Sequence, residues 1–124
     1  MDEASRRETG RAMRREVLGG AHVDRAAANT TAFNAEFQDL ITRYAWGEIW
    51  TRPGLDVRTR RMLAIGTLIA LGHWEELRMH VRAALTEGGF TANDIKEVFL
   101  HQTLYCGVPA VNHAFSLVAD LVRS

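Results

Sequence analysis

His73-Trp74-Glu75-Glu76-Leu77-Arg78-Met79-His80 follows directly on the apolar run Met62–Leu71 and on Gly72. On one helix, positions seven apart are separated by about 700°, so His73 and His80 would lie about 20° apart, with Glu76 about 60° away. Two imidazoles and a carboxylate would then share a stripe beside a segment apolar enough to be core. Groups that titrate near neutrality against apolar surroundings are what acid–base chemistry requires. Two histidines and a carboxylate also suit zinc or iron. A rise of about 1.5 Å per residue, however, places the two histidine Cα atoms about 10 Å apart, wide for ligands of one ion. The spacing thus favours acid–base work and no metal. Glu76 and His80, one turn apart, are close enough for the carboxylate to orient the imidazole. The bland alternative is that Glu75 and Glu76 complement the helix dipole and His73 is a boundary residue.

A second candidate is Glu48, in Tyr44-Ala45-Trp46-Gly47-Glu48-Ile49-Trp50. A carboxylate among two indoles and a phenol is expected to be partly desolvated and to titrate high; the alternative is a surface glutamate at a helix end. Arg43 and Arg52, near in sequence, are candidates for holding an anionic substrate, and Trp46 and His73 complete the candidate substrate-binding set. Cys106, at an apolar helix end without a neighbouring base, reads as a buried structural thiol rather than a nucleophile. His101, on the side of Leu104 and Tyr105, reads as a core histidine.

The elements that must position these groups are helical. Strand alternation and hairpin dipeptides are missing. Residues 3–18 carry Met13, Val17 and Leu18 at helical spacing and stop at Gly19-Gly20; His22 to Asn29 is a candidate short helix. From Asn34 to Trp46, Phe37, Leu40, Ile41 and Tyr44 follow the amphipathic pattern, and Thr51-Arg52-Pro53-Gly54 is a turn. Asp56 offers an N-cap for a helix through Leu71, and a further helix runs to Glu87. Thr91-Ala92-Asn93-Asp94 resembles a capping box opening a helix that ends near Gly107. Pro109 suits the first turn of a last helix carrying Val111, Phe115, Val118 and Leu121. The expectation is an all-α fold, a compact bundle of about six or seven helices, in one domain spanning 1–124 with residues 1–16 as an N-terminal helical extension.

With 47% apolar residues, 124 residues can bury a core. The 15 basic and 15 acidic residues cancel, which argues against nucleic acid or an anionic membrane as partner and leaves little repulsion between copies. One cysteine excludes an intrachain disulfide. The charged N-terminus is not a signal peptide, and an apolar run of about ten residues is too short to span a bilayer. The expected location is cytoplasmic.

Four blocks together resemble the γ-carboxymuconolactone decarboxylase family, within the alkylhydroperoxidase D-like superfamily. They are Phe37 through Trp50, Arg52-Pro53-Gly54-Leu55-Asp56, Glu75-Glu76-Leu77 with His80, and Tyr105-Cys106-Gly107-Val108-Pro109-Ala110. The likeness runs from about Val17 to Val122. Peroxidase-type members of the superfamily carry C-x-x-C-x-x-x-H; aligning its histidine on His80 puts His73 and Glu76 where the cysteines would be, so disulfide-based peroxide reduction is out of reach. The resemblance implies an all-α oligomer, commonly a hexamer, with sites near subunit interfaces. It implies cofactor-independent decarboxylation of γ-carboxymuconolactone, a dicarboxylate lactone, in protocatechuate catabolism. His80 would be the proton donor, Glu76 its orienting group, Glu48 a second acid, and Arg52 and Arg43 the carboxylate clamps. The competing readings are another superfamily enzyme, such as a lactone isomerase or peroxidase-like reductase, and a non-enzymatic helical oligomer.

Overall fold

The computed structural model describes residues 2–122, which are all-α, with no strand among them. The elements are α1 (Glu3–Leu18), α2 (Gly20–Ala28), α3 (Ala35–Ile41), a π-helix (Thr42–Ile49), α4 (Val57–Leu71), α5 (Trp74–Thr86), α6 (Ala92–Cys106), α7 (Val108–Val118) and a 3₁₀ turn (Ala119–Leu121). Cα packing groups them into two units that divide between Val57 and Arg58. The single-domain expectation over 1–124 extends, at Met1, Arg123 and Ser124, beyond the described residues.

In the first unit α1 begins where the Asp2 carboxylate accepts the Ser5 N–H at 2.7 Å, satisfying one of the orphan donors of the first turn. It ends at Gly19, whose φ of +88° only glycine adopts without strain. One glycine suffices for the stop: Gly20 already opens α2. Helix α1 packs chiefly along the π-helix. The approach is close because the crossing is made by glycines. A Cβ added to Gly10 would overlap the Thr42 carbonyl oxygen and lie 3.0 Å from the Gly47 nitrogen, and one added to Gly47 would overlap the Arg6 carbonyl oxygen.

The expected amphipathic α-helix from Asn34 to Trp46 is corrected here. At Thr42 the winding changes to i→i+5 bonding, as in Trp50 N–H to Ala45 O at 3.0 Å. From Thr42 on, with a larger turn, a 3.6-residue period no longer selects the buried side. Phe37, Leu40 and Tyr44 are exposed, while Thr42, Trp46 and Gly47 are buried.

The second unit holds a continuous core drawn from α4 (Ile65, Ile69), α5 (Leu77, Val81, Ala84), α6 (Ile95, Phe99) and α7 (Val111, Ala114, Val118), joined by Phe90. Full burial of each large side chain contributes about 1.5–3 kcal/mol. Phe99 also meets Phe115 edge to face at 5.0 Å. Helix α6 opens with the expected capping box: Asp94 N–H donates to Thr91 Oγ1 at 3.1 Å and Thr91 N–H to Asp94 Oδ2 at 2.8 Å. Gly107, at φ +92°, ends α6 and precedes α7, with Pro109 in the first turn. The apolar run of α4 is only half core: Ile65 and Ile69 are buried, but Met62, Leu63 and Leu71 are exposed.

Candidate functional site

The turn between α4 and α5 decides how the His73/Glu76/His80 segment is presented. Helix α4 closes with a Schellman motif: Gly72, at φ +71°, donates its N–H to Ile69 O at 3.2 Å, and His73 N–H donates to Leu68 O at 3.0 Å. His73 is thereby left outside α5 as its N-cap, with φ −86° and ψ 77°, and its carbonyl accepts the Leu77 N–H at 2.9 Å. His73 is exposed at the N-cap while His80 is half-buried inside α5, so the two histidines of the expected stripe stand in different surroundings.

His80 stands in the second turn of α5, next to fully buried Val81 and one turn after Leu77. Its ring is half-buried and Nδ1 is sealed from solvent. Glu76 lies one turn earlier, exposed, with Glu75 in the first turn, where the positive end of the helix dipole favours carboxylates. An imidazole anchored on the core side of a helix, with a carboxylate four residues before it, can deliver or accept a proton at a fixed position. Among the described residues no group of three or more His, Cys, Asp or Glu is placed to hold a metal ion.

The remaining candidates belong to the first unit. Arg43, Trp46 and Glu48 share the π-helix and Arg52 follows it. Trp46 is buried and stacks on Trp50, ring centroids 5.1 Å apart. Glu48 is exposed, so the desolvation expected from its aromatic neighbours is not present: those rings turn onto each other. Arg43 Nε donates to Asp39 at 2.8 Å and its Nη1 pairs with Glu3. The Asp39 carboxyl is held down to about 2 by hydrogen bonds from Arg7 and then Arg43. Arg52 is exposed on the turn, and its backbone N–H donates to Ile49 O at 3.1 Å.

Two further expectations are decided by packing. Cys106 is half-buried against the core and accepts from Gln102 Nε2 at 3.6 Å, as a structural thiol would. His101 is exposed, 5.3 Å from the Tyr105 ring, and is not a core histidine. It borders a cleft of about 770 Å³ lined by Met62, Leu63, Gly66 and Val98 between α4 and α6. Sequence reading missed this cleft because it treated the whole apolar run as core. It also missed Arg61, a buried arginine of α4. Its Nε would be 2.7 Å from a Cβ at Gly88, so that glycine keeps room for the guanidinium.

The model of the carboxymuconolactone decarboxylase family matches residues 35–120. The chain is 44% identical over 123 residues to a 4-carboxymuconolactone decarboxylase of Acinetobacter baylyi, covering 99% of this chain and 91% of that protein. It is 42% identical over 124 residues to the nitrosuccinic acid decarboxylase of Metarhizium robertsii, covering 98% and 86%. A 4-carboxymuconolactone decarboxylase sequence of Pseudomonas putida is 52% identical over 48 residues, 39% of this chain and the whole of that sequence.

Proposed function

This chain belongs to the carboxymuconolactone decarboxylase family, and from that premise we propose that it is a carboxy-lyase converting γ-carboxymuconolactone to the enol-lactone of β-ketoadipate and carbon dioxide. The observation that carries the reading is the 44% identity across almost the entire chain to a relative named for that reaction. The relative named for nitrosuccinic acid supports the same chemistry from another side. Both named substrates are small dicarboxylates with a carboxyl group near an electron-withdrawing group.

In the lactone, the bond to the ring carboxylate breaks and its electron pair passes through the ring double bond into the lactone carbonyl. The substrate is its own electron sink, so the reaction requires neither a metal nor an organic cofactor. The protein has to hold a dianion, stabilise the dienolate oxygen and supply a proton to the ring carbon next to the carbonyl. His80 is the proposed proton donor, with Glu76 orienting it. Glu48 is the second acid or acts on the departing carboxylate. Arg52 and Arg43 are the proposed carboxylate clamps, Arg43 pairing also with Asp39 and Glu3; Trp46 and His73 contribute to the pocket.

The proposal includes a single family domain that assembles as a homo-oligomer, a hexamer by family likeness, and works in the cytoplasm. No helix among the described residues is long and apolar enough to cross a membrane. Exposed Phe37, Leu40 and Tyr44 in the first unit, and Leu100, Leu104 and Tyr105 in the second, leave apolar surface of the kind that copies cover.

The test is carbon dioxide release by purified protein from γ-carboxymuconolactone, with nitrosuccinic acid in parallel. Preferential turnover of the lactone is expected. A folded protein that turns over only nitrosuccinic acid would establish the second reading, and one that turns over neither would end both.

A further inference from the structure

Inside the first unit, α1, α2 and the α3–π segment enclose a cleft of about 390 Å³, within the range of small-ligand sites. Helix α1 contributes Arg7, Arg11, Arg14 and Arg15 to it, and α2 the apolar Val23, Ala26 and Ala27. The two carboxylates of the cleft, Asp24 and Asp39, are each paired with an arginine. None of His73, Glu76, His80, Glu48 and Arg52 lines it.

The four guanidiniums are not equally matched. Arg7 donates to Asp39 from Nε at 2.6 Å and from Nη2 at 3.3 Å, and Arg15 Nη1 donates to Asp24 at 2.8 Å. Arg11 reaches Glu8 at 3.4 Å with both side chains well exposed. Arg14 differs. It is half-buried, and its Nη1 donates to the neutral amide oxygen of Gln38 at 3.2 Å. Its Nε is sealed from solvent and has no hydrogen-bond partner among the described residues. Burial lowers its pKa, with no opposing carboxylate to restore it.

A guanidinium that loses water without gaining a counter-charge is costly, and an anion placed against it removes that cost. The fork of donors on arginine matches two oxygens of one carboxylate. A bare inorganic anion would leave the alanine and valine side chains uncovered. We propose that this cleft binds a small organic carboxylate, its charged end on Arg14 and its hydrocarbon arm on Val23, Ala26 and Ala27.

The test is calorimetric titration of the full chain with succinate at constant ionic strength, with inorganic phosphate as the second arm. Saturable succinate binding is expected. Arg14→Gln should weaken it by about tenfold or more, the scale of one lost charge-assisted hydrogen bond. Ala27→Leu, which fills the cleft from an exposed helical position and leaves every arginine in place, should do the same even if Arg14→Gln fails to fold. Arg25→Gln, which removes an exposed charge of α2 from outside the cleft, should bind as wild type. Heat that survives both Arg14→Gln and Ala27→Leu, or that disappears in Arg25→Gln, would assign binding elsewhere and overturn the proposal. Saturation by phosphate but not succinate, or by neither, would overturn it too.

Discussion

Gly10→Ala tests the crossing on which the π-helix depends. The new Cβ would overlap the Thr42 carbonyl oxygen and stand 3.0 Å from both the Thr42 carbonyl carbon and the Gly47 nitrogen. All three are backbone atoms and cannot rotate away. Ordinary contact begins at about 3.5 Å; the two 3.0 Å contacts alone require about 0.5 Å of separation between α1 and the π-helix and the overlapped carbonyl oxygen about 1 Å more, which forfeits about half or more of the dispersion energy between facing atoms. Overpacking of this kind costs about 1–3 kcal/mol, and a backbone clash belongs at the upper end. Alanine returns about 1 kcal/mol of helix propensity. The net expectation is a loss of about 2 kcal/mol, or roughly 8 °C in melting temperature for a chain of this length. Circular dichroism melts and urea titrations of wild type and variant measure it. Two controls bracket the result. Gly54→Ala meets nothing within 4 Å, and at Gly20 the nearest atom is the flexible end of Arg15, 2.7 Å away; both should melt within about 0.5 kcal/mol of wild type. A Gly10→Ala protein as stable as the Gly54 control would refute the glycine-mediated crossing.

His80→Ala should leave a folded protein whose lactone turnover is reduced by about 10²–10⁴-fold, the usual contribution of a general acid; near-normal turnover would remove His80 from the mechanism. Activity should persist after exhaustive chelation with EDTA, and a loss restored by one particular metal would overturn the cofactor-free chemistry. Asp39 titrates at about 2 instead of 3.8 because Arg7 and Arg43 hold its charged form. Its pairing therefore stabilises the fold above about pH 4, and that contribution fades as pH falls towards 2. Asp39→Asn should accordingly melt below wild type at neutral pH, with the gap closing across that window; a gap unchanged at pH 2 would contradict the assignment. Cys106→Ser should keep most of its turnover and lose some stability, so a thousandfold loss at unchanged melting temperature would mark a catalytic thiol.

Local rules were enough to find most of the elements. The Thr91/Asp94 box, Pro109 at the start of α7, and the stops at Gly19, Gly72 and Gly107 are written in residue types that act through their own backbone, so nothing distant overrides them. The resemblance blocks around Trp46, Pro53 and Cys106 identified the family without coordinates, because they quote a pattern rather than a packing. What depended on neighbours was less legible. Which residues after Thr42 face a core, buried Trp46 and Gly47 rather than Tyr44, is decided by π-winding against α1, an event of long range. Glu48 is exposed because Trp46 stacks on Trp50 instead of covering it. His73 is an exposed N-cap while His80 is half-buried because a Schellman turn ends α4 just before α5 begins, which a period count does not register. Nothing in the sequence distinguishes Arg14 from the other arginines of α1. Only the approach of α2 and Gln38 sets Arg14 apart, because desolvation is a property of what surrounds a charge and not of the residue that carries it.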